Sequence, residues 1–314
     1  MQDFVLKLLF LIVFLTFFYG TCAAVQLTLA RPKMRYVVVG LFATVAALVL
    51  LLGLLSLAQP QLVPPSQGRL LLALGVATIL PLLKPVRLLM ARLTPFDPDS
   101  TVDMSGLVVL LWALVIAGTV LFAIDLTKLA DELHFTIADA LTNVIAFPVI
   151  AFSLVGAFVT RSWRECVKRL GLEPLTARQA VFALLLAVPL FAVSFAADYV
   201  GRTLQPGLYA QVEAILKAIS SGITSPLLAV IFGVCAGVGE EILFRGAIQP
   251  RFGIPLTSLV FALMHSQYGV SFTVVGVFLT GIVLGYERKY LNTTACIVTH
   301  AVYDIIAVLL NAGG

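Results

Sequence analysis

Glu240, Glu241 and Arg245 stand in a stretch otherwise built for lipid, and between 227 and 243 no other charged residue occurs. Each ionised group near a bilayer centre costs at least ~2.5 kcal/mol, so intramembrane charges of this kind mark a functional site facing a cavity. Successive residues of a helix are turned by about 100°, so Glu240 and Glu241 point in different directions. Glu241 and Arg245, four apart with the acid amino-terminal, have the favoured order for an ion pair. Glu240 is then left without a counter-charge, as suits a carboxylate that takes a proton from water. Gly233, Ala236, Gly237 and Gly239 precede it and would let another helix approach closely.

The chain has three histidines. His134 falls in a polar loop and is read as incidental. His265 ends the segment Phe261-Ala262-Leu263-Met264-His265, and His300 opens His300-Ala301-Val302-Tyr303-Asp304. His300 and Asp304 share one face of one helix, being four apart. Glu240, His265, His300 and Asp304 therefore come from three apolar helices and form the candidate catalytic set. The alternative is a buried polar network that only fixes helix packing. Asp139 and Asp198 lie near the ends of apolar spans, where a solvated carboxylate is ordinary, and stay outside the set. Two histidines and one to three carboxylates could also ligate zinc, with a bound water as nucleophile. No His-Glu-x-x-His occurs and the histidines come from separate helices, so the expectation is no cofactor and no metal, with zinc as the alternative.

The elements that must carry these residues are membrane helices. Hydrophobic residues make up 61% of the chain and charged residues 11%, with a mean hydropathy of +1.07. Soluble domains carry roughly 25% charged residues. Alternation of the barrel type is absent, so the fold class is all-α, a polytopic transmembrane bundle. Apolar segments at 4–25, 36–58, 70–83, 106–124, 136–160, 180–200, 226–248, 254–266, 270–286 and 293–311 give about ten spans, of which 70–83 and 254–266 are short for a crossing. Pro81 breaks the first of these. The opening segment has only Lys7 before its apolar run, and Arg31, Lys33 and Arg35 follow it, which argues for a retained helix over a cleaved signal.

Basic residues cluster at 31–35, 84–92, 161–169, 245–251 and 287–289, while the intervening loops are neutral or acidic. With the basic side cytoplasmic, this alternation threads all the spans and leaves both termini on the opposite side. It excludes a nucleic-acid surface. Cys22, Cys166, Cys235 and Cys296 have no paired spacing, so neither a disulfide framework nor a zinc motif is indicated. The linker 93–105 and the basic loop 161–178 mark boundaries. Within 201–224, Tyr209, Val212, Ile215 and Leu216 oppose Gln211, Glu213 and Lys217, the pattern of an amphipathic surface helix.

Glu240-Glu241-x-x-x-Arg245, Phe261-x-x-x-His265 and His300-x-x-x-Asp304, in this order, resemble the CAAX prenyl protease and bacteriocin-processing family, the type II CAAX endopeptidases and their Abi relatives. Leu170-Gly171-Leu172 looks like the entry to that domain. The resemblance implies two regions: 1–160, a transmembrane extension of unknown role, and 170–314, a protease-like domain with an internal cavity. It implies a glutamate-dependent, metal-independent intramembrane endopeptidase in which Glu240 and His265 activate water. His300 and the residue at position 304 would stabilise the oxyanion. That position is often Asn in the prenyl proteases; Asp304 would repel an oxyanion when ionised, so it is protonated or instead orients His300. Glu241, Arg245 and Phe261 would support the site. The implied partners are the bilayer and a membrane-embedded or lipid-anchored protein or peptide, in a bacterial inner membrane or a plastid membrane. A non-proteolytic scaffold or bacteriocin self-immunity protein is the alternative, and an ion-relay transporter a third, disfavoured by the lack of an inverted repeat.

Overall fold

Apolar side chains without periodicity and backbone groups that must bond internally make helix the only economical state for this sequence, and the computed structural model, described over residues 2–61, 64–123, 125–133 and 136–312, is all-helical apart from its turns and connections. In chain order the helices are α1 (Gln2–Ala30), α2 (Met34–Ala58), α3 (Pro65–Ile79), α4 (Lys84–Leu93), α5 (Thr101–Ala123), α6 (Leu126–Glu132), α7 (Ile137–Leu154), α8 (Trp163–Leu170), α9 (Ala177–Leu204), α10 (Pro206–Ser221), α11 (Pro226–Glu241), α12 (Gln249–Leu263), α13 (Phe272–Tyr290) and α14 (Thr293–Ala312). Among the described residues eight helices are long and apolar enough to cross a membrane, counting Pro226–Leu263 as one. The chain is an integral membrane protein.

The difference from about ten spans has two local causes. The stretches expected at 226–248 and 254–266 run on as one helical segment, divided only by non-helical backbone at Gly253 (φ 75°, ψ 172°). Helix α13 ends in Glu287, Arg288 and Lys289, which lowers its apolar character. Conversely, 70–83 is longer than its apolar run, because α3 starts at Pro65 and a 3₁₀ turn, Leu80–Leu82, completes it. Proline is accommodated at a helix start, where its missing N–H has no partner to lose. The span expected to reach 160 stops at Leu154, and Arg161 then folds back to donate from its guanidinium to Val155 O.

The described chain divides into two compact units. Gly20–Val120 is one. Here α2 lies against α3, and Val25, Val38 and Val102 form a small core with Phe42 packed on it. Trp112 Nε1 donates to Thr78 Oγ1 at 2.9 Å, satisfying an indole N–H that would otherwise face lipid.

The other unit joins Met1–Tyr19 to Leu121–Gly314. Helix α11 packs against α14 and α7, α9 against α13 and α14, and α12 against α13. The small residues before Glu240 set these approaches. A Cβ on Gly237 would sit 2.9 Å from Ile297 O and 3.0 Å from Ala301 N, both backbone atoms of α14. Helix α10 buries Tyr209, Val212 and Ile215 against protein, chiefly α6, α9 and α14. Its polar side keeps Lys217 3.3 Å from Glu213.

Candidate active site

Glu241 is the last residue of α11, and the chain widens there into a π-helical segment, Ile242–Ile248, before α12 begins. Such π segments are rare and frequent at functional sites. The wider turn still joins Glu241 to Arg245, with Arg245 Nε 3.1 Å from Glu241 Oε2 and both side chains fully enclosed. The guanidinium carbon lies 4.9 Å from the Phe261 ring centre, so the aromatic face provides a second partner for the buried cation. Phe261 also meets Phe244 edge-on, with ring centres 5.2 Å apart.

Glu241 has a second partner that local spacing could not reveal. His300 Nδ1 lies 2.8 Å from Glu241 Oε1, across 59 positions of sequence. On the other side of the ring, His300 Nε2 is 3.4 Å from Asp304 Oδ2. The imidazole is thus held between two carboxylates, and a proton on each nitrogen satisfies both. Arg245, Glu241, His300 and Asp304 make a row in which basic and carboxyl groups alternate, and each of the three buried ones, Arg245, Glu241 and His300, has a neighbour of the other kind. This arrangement offsets the penalty that an isolated buried charge would carry.

Glu240 and His265 stand apart from that row. His265 follows the end of α12, and its ring packs against Phe261 with centres 4.9 Å apart. His265 Nδ1 donates to Phe261 O at 2.8 Å; a carbonyl only accepts, so the neutral ring carries its hydrogen on Nδ1. The Nε2 lone pair then faces Glu240 Oε2 at 4.0 Å. That separation is too long for a hydrogen bond and short enough for one water oxygen to bridge. Glu240 and His265 are 17% and 21% exposed, against 0% for Glu241, so the first pair opens onto space that the ion pair does not reach.

The structure therefore brings Glu240, His265, His300 and Asp304 into one neighbourhood with Glu241, Arg245 and Phe261 beneath them. Asp139 lies outside it, closing a capping box in which Oδ2 accepts from Thr136 N at 3.0 Å and Thr136 Oγ1 at 2.6 Å. His134 lies outside the described residues. Among those residues no group of three or more His, Cys, Asp or Glu is arranged to hold a metal ion.

Three features escaped sequence reasoning. Tyr268, in the 3₁₀ turn Ser266–Tyr268, stacks on His265 with ring centres 6.2 Å apart and planes at 21°. Tyr303 shares a 2.6 Å hydrogen bond with Ser194 of α9. The buried Glu287 of α13 accepts from Thr299 Oγ1 at 2.7 Å, and Thr299 is also 2.9 Å from Ala183 O, which ties α9, α13 and α14 together directly behind His300. The only sequence signal for these was proximity to a motif: Tyr268 comes three after His265, and Thr299 directly precedes His300.

Residues 222–306 match the family model described as Type II CAAX prenyl endopeptidase Rce1-like. The matched residues include all of Glu240, Glu241, Arg245, Phe261, His265, His300 and Asp304. No curated protein and no solved structure matches the chain.

Proposed function

Residues 222–306 carry the match to the CAAX protease family, and on that premise we propose that the chain is a glutamate-dependent intramembrane endopeptidase acting on a membrane-embedded or lipid-anchored protein or peptide. The observation that carries this reading is Glu240, near the end of apolar helix α11, facing His265, just past the end of α12, across 4.0 Å. A water between Glu240 Oε2 and His265 Nε2 donates one hydrogen to each and keeps a lone pair for the substrate carbonyl carbon. As the new C–O bond forms, Glu240 takes the proton. When the tetrahedral intermediate collapses, the C–N bond breaks and Glu240 returns the proton to the leaving nitrogen. General acid–base steps of this kind contribute about 10²–10⁴-fold in rate.

In this proposal Asp304 orients His300, as its 3.4 Å approach to Nε2 supports, and the charged His300 ring lowers the energy of negative charge developing nearby. Glu241 and Arg245 hold His300 from beneath. The chemistry requires no metal. The host membrane is a bacterial inner membrane or a plastid membrane.

The test compares membrane-peptide profiles of cells carrying wild type, Glu240→Gln or His265→Ala, together with the purified proteins in liposomes. Both variants are expected to insert and fold, and to lose cleavage to the same degree. Activity should survive 1,10-phenanthroline. A farnesylated CAAX-type peptide and its unprenylated twin report whether the lipid is recognised. A Glu240→Gln protein that cuts as fast as wild type sinks the reading, and a biological effect that survives loss of both residues makes the protein a scaffold or immunity protein.

A further inference from the structure

The connection from α7 to α8 forces a bulky side chain into unfavourable backbone. Phe158 has φ 60°, and every other positive φ among the described residues belongs to a glycine. Left-handed backbone crowds any Cβ, and glycine would avoid the strain. The conformation is imposed from several sides. Phe158 N donates to Arg161 O at 2.9 Å, Arg161 N to Gly156 O at 3.1 Å, and the Tyr19 hydroxyl to Ala157 O at 3.0 Å. This enforced turn does not bury the ring, which is 73% exposed. Strained backbone gathers at functional sites, and a ring held outside the protein points to a contact with something else.

The ring is part of a stack. Trp163, the first residue of α8, lies flat on Phe152 with centres 4.5 Å apart and planes at 5°, and Phe158 stacks on Trp163 at 6.5 Å and 15°. Trp163 is itself 52% exposed. Phe152 belongs to the last turn of α7, a helix long and apolar enough to cross a membrane, so the stack stands where a span leaves the hydrocarbon. Aromatic rings are favoured at that depth, among the headgroups. Beside them Arg164 and Lys168, four apart on one face of α8, are both exposed. Between 161 and 169 four basic residues stand against one acid, Glu165. That acid is occupied: its Oε2 accepts from Ser162 N and from Ser162 Oγ, each at 2.7 Å. Cys166 and Leu170 are buried on the inward side of the helix. The outward surface thus joins apolar rings to positive charge, which complements an anionic lipid: glycerol and upper acyl carbons against the rings, phosphate against the two basic side chains. A plain aromatic belt would need neither the strained turn nor the basic pair.

We propose that Phe158, Trp163, Arg164 and Lys168 form a binding site for an anionic phospholipid of the bilayer. The site lies outside residues 222–306 and does not rest on the hydrolytic reading. Helix α8 is tied at its other end to the unit that holds Glu240: Arg169 Nη1 donates to Gly246 O at 3.3 Å, and Thr293 Oγ1 donates to Leu170 O. Lipid held on α8 therefore stabilises the packed helices, and stability reports the binding.

The experiment uses the full-length protein in detergent micelles with added dioleoylphosphatidylglycerol or dioleoylphosphatidylcholine. One readout is the thermal midpoint. The other is quenching of Trp163 by the same lipids with brominated acyl chains, in a Trp112→Phe background that leaves Trp163 as the sole tryptophan. Each basic side chain at an anionic surface strengthens attachment about fivefold, so two should favour phosphatidylglycerol over phosphatidylcholine by about 25-fold. Phosphatidylglycerol should also raise the midpoint more. Arg164→Gln with Lys168→Gln should abolish both differences and leave the lipid-free midpoint unchanged. Phe158→Gly, which relieves the strain and removes the ring, should keep or raise the lipid-free midpoint while weakening quenching by both lipids. Equal binding of the two lipids by wild type overturns the proposal, as does a double variant that keeps the wild-type preference. A Phe158→Gly protein quenched as strongly as wild type overturns it too. If Phe158→Gly lowers the lipid-free midpoint, the ring serves packing and the proposal fails. Loss of cleavage in Glu240→Gln has no bearing on any of these outcomes, so the two readings fall separately.

Discussion

Replacing Arg245 with methionine removes a charge of similar volume from a place with no access to solvent. Arg245 and Glu241 are both 0% exposed, with Nε 3.1 Å from Oε2. Removing one member of such a pair strands the other, and the destabilisation is typically about 3–5 kcal/mol. Within that figure, the lost contact of the guanidinium with Phe261 at 4.9 Å contributes about 2 kcal/mol, as desolvated cation–π contacts do. His300 still donates to Glu241 Oε1 at 2.8 Å, which places the expected loss at the lower end, about 3 kcal/mol. The assay is equilibrium unfolding in mixed detergent micelles, followed by helical circular dichroism. The second arm is the double variant Glu241→Gln with Arg245→Met. Removing both charges should recover most of the stability, because a buried pair replaced as a whole is often neutral. Activity should stay low in the double variant, since the neutral amide that replaces the Glu241 carboxylate no longer holds a charged His300. An Arg245→Met protein within about 1 kcal/mol of wild type, or a double variant no more stable than the single one, would refute the assignment of this pair as the support of the site.

Gly237→Ala should press a methyl against Ile297 O and Ala301 N and displace α14, which carries His300 and Asp304. Overpacking of this kind costs about 1–3 kcal/mol, so a lower thermal midpoint and at least tenfold slower cleavage are expected, whereas Gly118→Ala, whose Cβ meets nothing within 4 Å, should change neither. Outside the membrane, hydrogen bonds from Ser162 to Glu165 hold its carboxyl below the usual value of 4.5. A depressed folded-state value means the stabilisation of α8 is present above that ordinary value and is lost as pH falls through the folded one. Trp163 fluorescence in a Trp112→Phe background should report a transition below pH 4.5 that Glu165→Gln abolishes.

Much of the site was legible before folding because its information is local. The four-residue spacings Glu241–Arg245 and His300–Asp304 both become contacts, at 3.1 Å and 3.4 Å. The small residues before Glu240 become the close approaches, Gly233 and Gly237 to α14 and Gly239 to Asn143 O of α7. Composition alone was enough for the all-helical membrane class, since a chain that is 61% hydrophobic can satisfy its backbone in lipid only within helices. The span count was less legible. A hydropathy pattern records side chains and not backbone direction, so the continuity through Ile242–Ile248 and the break at Gly253 have no signature in it.

What only the tertiary structure decided is how separate helices meet. Nothing in the sequence near Glu241 points to His300, 59 residues away, yet their 2.8 Å contact turns a local ion pair into the base of a row of charges. The same holds for Glu287 with Thr299, and for Tyr303 with Ser194. Helical periodicity fixes which residues share a face within one element. Which faces then oppose one another depends on how closely α11 and α14 approach through their small residues, and on the turn that carries Tyr268 past His265. The sequence alone determined the kinds of group this protein holds in the membrane and their partners one turn away; the packing of three helices decided that Glu240 faces His265 while Glu241 faces His300.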